Sequence, residues 1–289
     1  VKDIYRGSDA SGPGLYGAIV YNNNLIFTAY KGRDMDQELF RTDGTENGTY
    51  IVKELVNKFW YIGSMRIRGS LPSWPIAMGD YFYFYAHSDD YDCELFKSDG
   101  TENGTSLVKD INPNGHAVQN AGMAKMNDVL YFGASDGTNG MELWRSDGTE
   151  SGTYMVKDIN SSGGSDPRLF VACGSKLFFS ADDGTNGYEL WVSEGTGSTT
   201  NLVKNINPST SDNSVKLHYS HQAVMDNVFY FQGNDGTNGW ELWRSDGTES
   251  GTYIVKDIDP NGDGKPMNIR VISGKLYFSA DEGNGRELW

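Results

Sequence analysis

Residues 136–159 read DGTNGMELWRSDGTESGTYMVKDI, and residues 235–258 spell nearly the same phrase, DGTNGWELWRSDGTESGTYIVKDI. A chain that repeats a phrase this long is assembled from one recurring unit. Glu-Leu-Trp/Phe ends at Phe40, Phe96, Trp144, Trp191, Trp243 and Trp289. Val-Lys-(Asp/Glu/Asn)-(Ile/Leu) starts at Val1, Val52, Val108, Val156, Val203 and Val255. Six copies at a spacing of about 48 residues fall within the range of propeller blades.

Residues 168–206 show what one unit is made of. RLFVAC, the turn GS, KLFFSA, the loop DDGTNG, YELWVS, the hairpin EGTGST and NLVKNI give four strand-sized pieces separated by turn residues. Pieces such as LYFSA and VFYFQG are apolar at nearly every position, as in sheets packed on both faces. The expectation is an all-β, six-bladed β-propeller of four-stranded antiparallel blades, one domain over residues 1–289. VKDI at residues 1–4 is a fourth strand without its first three, and the chain stops at ELW. The N-terminal strand is therefore expected to complete the C-terminal blade and remove an open edge.

Composition narrows the function classes. With 36 glycines, 8 prolines and 13% aromatic residues, the chain fits short strands and turns better than helix bundles. A net charge of -15 repels phosphate backbones and anionic headgroups, which argues against nucleic acid and membrane surfaces as partners. No apolar run approaches the roughly 20 residues that span a bilayer, and no basic-plus-apolar leader precedes Val1. Cys93 and Cys173 stand in different repeats and are expected to remain unpaired. NGT at Asn47 and Asn103 and NSS at Asn160 fit the glycosylation pattern. Asn47 and Asn103, however, occupy turn positions held elsewhere by Ser151 and Ser250.

These motifs resemble the ELWxxDGT-repeat (hyalin-type repeat) β-propeller proteins, whose phrase stands here as ELWRSDGT at 142–149 and 241–248. The resemblance covers essentially the whole chain. It departs at ELFRTDGT (38–45), ELFKSDGT (94–101) and ELWVSEGT (189–196), and the sixth copy stops at Trp289. It implies a secreted, extracellular protein and brings no settled activity.

A residue present in every repeat is explained by packing and turn geometry before it is explained by an active site. The ELW/ELF aromatics are expected between blades. Glu142 and its equivalents are expected to accept turn N–H groups, and Asp147-Gly148-Thr149 to cap a hairpin. The DGTNG loops offer oxygen ligands for calcium but lack the D-x-[DN]-x-[DN]-G order, and each Asn-Gly is also an ordinary turn. Cofactor use is therefore left open, with calcium the candidate.

Recognition is expected where repeats differ. The longest divergent segment, residues 56–74, carries Trp60, Tyr61, Arg66, Arg68 and Trp74, and residues 207–221 carry His218, Tyr219 and His221. Aligning the starts of the first strands puts Gly17, Trp74, Gly122, Leu169, His221 and Asn268 around a channel mouth. All four histidines, His87, His116, His218 and His221, fall in segments assigned to this face. HYSH alone does not make a metal site.

Three functional readings follow. The first is a lectin-like binding module, in which Trp and Tyr faces stack on sugar C–H surfaces and Asn, Arg and His bond hydroxyls. Its candidate contacts are Trp60, Tyr61, Trp74, Arg66, Arg68, His218, Tyr219, His221 and Asn268, with Trp240 or Tyr188 in a repeat-based alternative. The ligand would be a glycan or other small extracellular molecule. The second is a structural or adhesive scaffold for a protein partner. The third is a hydrolase or lyase at the channel mouth. It is weakened because no Glu lies in the first strands or long connecting loops, and glycoside hydrolysis ordinarily needs two carboxyl groups.

Overall fold

The computed structural model describes the chain except residues 1, 5–9, 16, 33–35, 57–59, 63–64, 68, 89–91, 209–212 and 217–220; the side chains of 60–62, 65–67, 119–121 and 216 are also outside the description. Among the described residues the structure is all-β and propeller-like, without an α-helix. Sheet 1 runs Ala18–Tyr21, Asn24–Gly32, Asp36–Thr42 and Tyr50–Ile51. Sheet 2 runs Ser73–Met78, Tyr81–His87, Cys93–Ser98 and Ser106–Lys109. Sheet 3 runs Val118–Met126, Val129–Ser135, Met141–Ser146 and Tyr154–Lys157. Sheet 4 runs Arg168–Cys173, Lys176–Asp182, Tyr188–Ser193 and Asn201–Lys204. In sheet 5, Val215–Lys216 and Gln222–Met225 both pair with Val228–Asn234, which is followed by Trp240–Ser245 and Tyr253–Lys256.

Sheet 6 has three strands, Met267–Ile272, Lys275–Asp281 and Arg286–Leu288. The fourth strand expected from the N-terminus is not formed. Lys2 to Ile4 have no strand structure, and the Lys2 ammonium donates instead to the carbonyl of Thr49, at 3.1 Å. Residues 56–74, read as one long loop, contain a further two-stranded hairpin, Trp60–Ile62 with Met65–Ile67.

The chain divides into two compact units. One comprises residues 1–130, 134–138 and 146–154, and the other residues 131–133, 139–145 and 155–289. Within the first, sheets 1 and 2 share a core of Tyr21, Ile26, Leu39, Phe82, Phe84 and Phe96. Within the second, Phe178 of sheet 4 stacks on Phe229 of sheet 5 with ring centroids 5.0 Å apart, and Leu242 and Ile258 meet Ile269 and Ala280 of sheet 6. Burial on both faces accounts for strands that are apolar at consecutive positions. The repeated aromatics behave accordingly. Phe40, Phe96, Trp144, Trp191 and Trp243 are all buried.

Two backbone devices recur. In the hairpin closing each of the first five sheets, a Ser or Thr ending the third strand bonds the Thr just before the fourth. In sheet 2, Ser98 Oγ and Thr105 Oγ1 are 2.7 Å apart. Asp99 Oδ1 accepts the amide and hydroxyl of Thr101 at 2.8 and 2.7 Å, and Gly100 takes a φ of 90° that side chains disfavour. Repeat 4, with Glu194 in place of Asp, closes the same turn through a 3-10 helix at Gly197–Thr199.

The second device is a lysine staple. In all but the last of the VKD-type segments, the Lys donates to the carbonyl of the last hairpin Thr in the following repeat. Lys53 reaches Thr105 at 2.8 Å, Lys109 reaches Thr153 at 2.8 Å, Lys157 reaches Thr200 at 2.6 Å and Lys204 reaches Thr252 at 3.0 Å. Lys2 and Thr49 obey the same rule.

Candidate functional site

The Glu of each ELW phrase sits opposite a small residue on the neighbouring strand, Ala29, Ala86, Ala181 or Gly233, which leaves room for a buried carboxylate. Glu142 accepts the amides of Ile159 (2.8 Å), Asn160 (3.4 Å) and Ser165 (2.9 Å) and the Ser165 hydroxyl (2.6 Å). Glu189 accepts Ile206 N and Asn207 N at 3.2 and 3.5 Å and the Ser214 hydroxyl, and Glu241 accepts Ile258 N and Gly264 N at 3.0 and 2.6 Å. These carboxylates tie the chain after the fourth strand back to the third, as the sequence implied.

Repeat 1 is different. Glu38 is fully buried, Ser70 Oγ donates to its Oε2 at 2.6 Å, and its Oε1 has no hydrogen-bond partner. Burial pushes Glu38 up to about 8, against the Ser70 hydroxyl and the Lys31 charge. Burial likewise pushes Glu94 up to about 8 and Glu189 to about 7.

An acidic trio surrounds one of these anchors, and the sequence reading missed it. Asp92, Glu94 and Asp110 bring carboxylate oxygens within 4.8 Å of one another. The equivalent residues in repeat 1 are Asp36, Glu38 and Glu54, and a lysine bridges Asp36 and Glu54. Lys31 Nζ lies 3.6 Å from Asp36 Oδ1 and 2.8 Å from Glu54 Oε1. The available signal was the residue two before each ELW/ELF Glu, which is Asp36 or Asp92 in the first two repeats and Gly140, Gly187, Gly239 or Gly285 in the others.

The loops weighed for calcium hold their carboxylates otherwise. Asp183 Oδ1 accepts the amides of Thr185 and Asn186, both at 2.9 Å, and its Oδ2 accepts Asn186 Nδ2 at 2.7 Å. Asp235 repeats this pattern with Thr237 and Asn238. Partial burial pushes both carboxyls up, but the donors together hold them below the ordinary range. Their lone pairs stabilise their own turns.

The aligned first-strand starts share a backbone feature that their side chains do not advertise. Gly17, Trp74, Gly122, Leu169 and Asn268 have φ of 123°, 55°, 79°, 58° and 55°. In sheets 2, 4 and 6 the pairing register slips across this residue, between Ser73 and Ile76, Arg168 and Val171, and Met267 and Arg270. This is a bulge repeated at one position of the unit. Left-handed backbone suits Gly and is tolerated by Asn, but for the bulky Trp74, just before Pro75, it is strained by about 1–3 kcal/mol. Gly17 lies against this point, since a Cβ there would be 2.6 Å from Pro75 Cδ.

Of the other candidate contacts, Trp60, Tyr61 and Arg66 fall in the short hairpin, with Trp60 paired to Ile67 and Tyr61 to Arg66. Arg68, His218 and Tyr219 lie outside the described residues. Trp74 and His221 are half-buried and Asn268 is exposed. His116 Nδ1 accepts the Cys93 amide at 3.1 Å, and the His116 and His87 rings meet edge to face at 5.4 Å. Tyr188 donates to Asp166 Oδ2 at 3.2 Å under the Arg168 guanidinium, 4.8 Å from the ring. The Trp240 amide is held by Asp263 Oδ1 at 3.0 Å. Cys93 and Cys173 are free.

No family model matches the chain, and no curated protein matches it. Among solved structures it is similar to a puromycin-hydrolysing peptidase from Mycobacterium tuberculosis, at 12% identity and a TM-score of 0.57, over 96% of this chain and 45% of that one. It is also similar to a puromycin hydrolase, at 14% identity and a TM-score of 0.51, over 92% of this chain and 41% of that one. The chain spans less than half the length of either, and at such identities the likeness is one of fold: a propeller-like, all-β array of repeated sheets.

Proposed function

We propose that this chain is a secreted carbohydrate-binding propeller of the ELWxxDGT-repeat type, with six blades. One observation supports the binding role above the others. The aromatic and acidic residues present in every repeat are engaged in packing and in holding backbone amides, whereas Trp74 is a half-buried aromatic in strained backbone at a position held elsewhere by Gly17, Gly122, Leu169, His221 and Asn268. Trp74 supplies the stacking face, and the divergent segments with Trp60, Tyr61, Arg66, Arg68, His218, Tyr219, His221 and Asn268 supply directional contacts.

A glycan-array screen of the wild type and Trp74→Ala, in calcium buffer and after chelation, tests this. Saturable binding that falls at least about tenfold in Trp74→Ala, the loss of one stacked aromatic contact, is the expected result. Binding retained in the variant places recognition at Tyr188 or Trp240. No binding to any glycan ends the carbohydrate reading.

A further inference from the structure

Sheets 2 and 3 border an open hollow of about 430 Å³, within the size range of small-molecule sites, on the side of the Gly79–Asp80 turn and the Asp147–Thr149 hairpin. All of its lining belongs to the first compact unit. The residues that give it chemistry are Asp80, Tyr81, Tyr83, Lys97, Asp128 and Asp147.

Other junctions are filled at the corresponding place. Between sheets 1 and 2, Arg41 Nη1 reaches Gly100 O at 3.3 Å, and the Tyr21 hydroxyl donates to the Asp80 carbonyl. Between sheets 4 and 5, Lys176 Nζ reaches Asp246 O at 2.6 Å and lies against Gly247. Between sheets 2 and 3, Lys97 makes the equivalent bond, to Gly148 O at 2.9 Å, but its ammonium also lies over the Tyr81 ring, 5.1 Å from the centroid. Tyr81 has no aromatic counterpart, because the other repeats carry Asn24, Val129, Lys176, Val228 and Lys275 there.

Tyr83 supplies the observation that points to a ligand. It is 4% exposed, and its hydroxyl reaches over Gly148, where a Cβ would stand 2.0 Å from the oxygen. Among the described residues that hydroxyl has no hydrogen-bond partner, yet it lines the hollow. The residue is buried while its hydroxyl opens on the hollow, where water or a ligand can bond it.

Two exposed carboxylates, Asp80 and Asp128, line the hollow beside one ammonium that is already engaged, while Asp147 Oδ1 is taken by the Thr149 amide and hydroxyl at 2.9 and 2.7 Å. Lys125, outside the hollow, meets Asp128 at 3.4 Å across two exposed side chains, a contact that solvent screens. The hollow therefore has more acceptors than donors, an excess of negative charge and one aromatic plate. We propose that it is a binding site for a small, donor-rich cation with a C–H face, of the amino-sugar class. The ligand's ammonium and hydroxyls donate to the carboxylates, a ring oxygen or hydroxyl accepts from Tyr83, and its apolar face lies on Tyr81. This site is separate from the Trp74 region, and either can hold without the other.

Titrating D-glucosamine, N-acetyl-D-glucosamine and D-glucose into the full chain, followed by NMR, tests the assignment. Saturable glucosamine binding is expected, about tenfold tighter than for the two neutral sugars. The double variant Asp80→Asn, Asp128→Asn changes two exposed side chains without disturbing the core and abolishes that preference. Tyr83→Phe weakens all binding by about fivefold, the loss of one hydrogen bond. Trp74→Ala leaves it unchanged. No saturation by about 10 mM glucosamine overturns the proposal, as does binding that is indifferent to both the Asp and Tyr83 variants. Binding lost only in Trp74→Ala overturns it too and moves the amino sugar to the other site.

Discussion

Glu38→Gln is expected to stabilise the protein at pH 7 and to change it little at pH 5. The Glu38 carboxyl is fully buried, and burial raises it from 4.5 to about 8. The groups facing it are Ser70 and Lys31, which favour ionisation, and Asp36, which opposes it. A carboxyl whose folded value lies above its unfolded value contributes its full stability below about 4.5, and that contribution is lost as the pH rises toward 8. Between pH 5 and pH 7 the unfolded chain gives up the proton and the folded chain keeps it. Stability then falls by up to about 1.4 kcal/mol for each pH unit, or roughly 2–3 kcal/mol over the interval. Gln has no proton to lose and nearly the same shape, so the slope disappears. At about 2–4 °C per kcal/mol for a chain of this size, the variant should gain about 5 °C more in melting temperature at pH 7 than at pH 5. Thermal melts followed by circular dichroism at both pH values measure this, and an equal shift at the two would refute the reasoning.

Glu142→Gln provides the opposing case. Glu142 accepts from three amides and one hydroxyl, so a carboxamide N–H₂ placed there must face donors. Burial raises the Glu142 carboxyl and these donors oppose the rise, so the expected loss is about 2 kcal/mol at pH 5 and smaller at pH 7. A variant stabilised in both positions would mean that burial alone, and not the count of donors, governs these glutamates.

Two further outcomes test the repeat architecture. Lys157→Met keeps the aliphatic stem but loses the bond to Thr200 O and the contact with the Trp191 ring, 5.7 Å away. It should lower stability by about 1–2 kcal/mol in urea melts, whereas Lys256→Met, which loses the cation–π contact to Trp289 at 4.2 Å, should lower it by less than about 1 kcal/mol. Gly148→Ala and Gly44→Ala both place a side chain at positive φ, 88° and 94°, but only at Gly148 does the new Cβ meet the Tyr83 oxygen. Gly148→Ala should therefore melt lower, and equal losses would show that the dihedral alone sets the cost.

The parts of the fold visible in the sequence are those fixed by local chemistry. Two strands of repeat 4 have the limits read from the letters, Arg168–Cys173 and Tyr188–Ser193, because β-branched and aromatic runs between glycine turns leave little choice. The hairpin cap and the buried Glu were also legible, since Asp-Gly-Thr and an acid at the head of an apolar strand have few uses. The lysine staple was not, because its acceptor is a backbone carbonyl about 48 residues away, whatever side chain stands there. The bulge at Trp74, Leu169 and Asn268 was hidden for the opposite reason: neighbouring sheets impose the dihedral on residues that would not choose it. The long divergent segment read as loop holds a short hairpin whose three-residue strands are below the length at which alternation is a signal.

The departures from the repeat are unevenly distributed, and that bears on where function lies. Repeats 1 and 2 alone replace Trp by Phe40 and Phe96, replace Gly by Asp36 and Asp92, and are joined by the longest divergent segment. Each change alters charge or space at one end of a sheet while the strand pairing continues. In repeat 1 the added acid is answered by Lys31; in repeat 2 the same position as Lys31 is Ser88, whose hydroxyl bonds Asp92 and leaves the trio's charge in place. A change that served packing alone would carry its compensation in both repeats. Asp36 is thus bridged by a lysine in repeat 1, whereas Asp92 is met by a hydroxyl in repeat 2, the repeat that also supplies Trp74, Tyr81 and Tyr83. Caps recur in the first five repeats, whereas the departures from the repeat are concentrated in repeats 1 and 2 and in the segment that joins them.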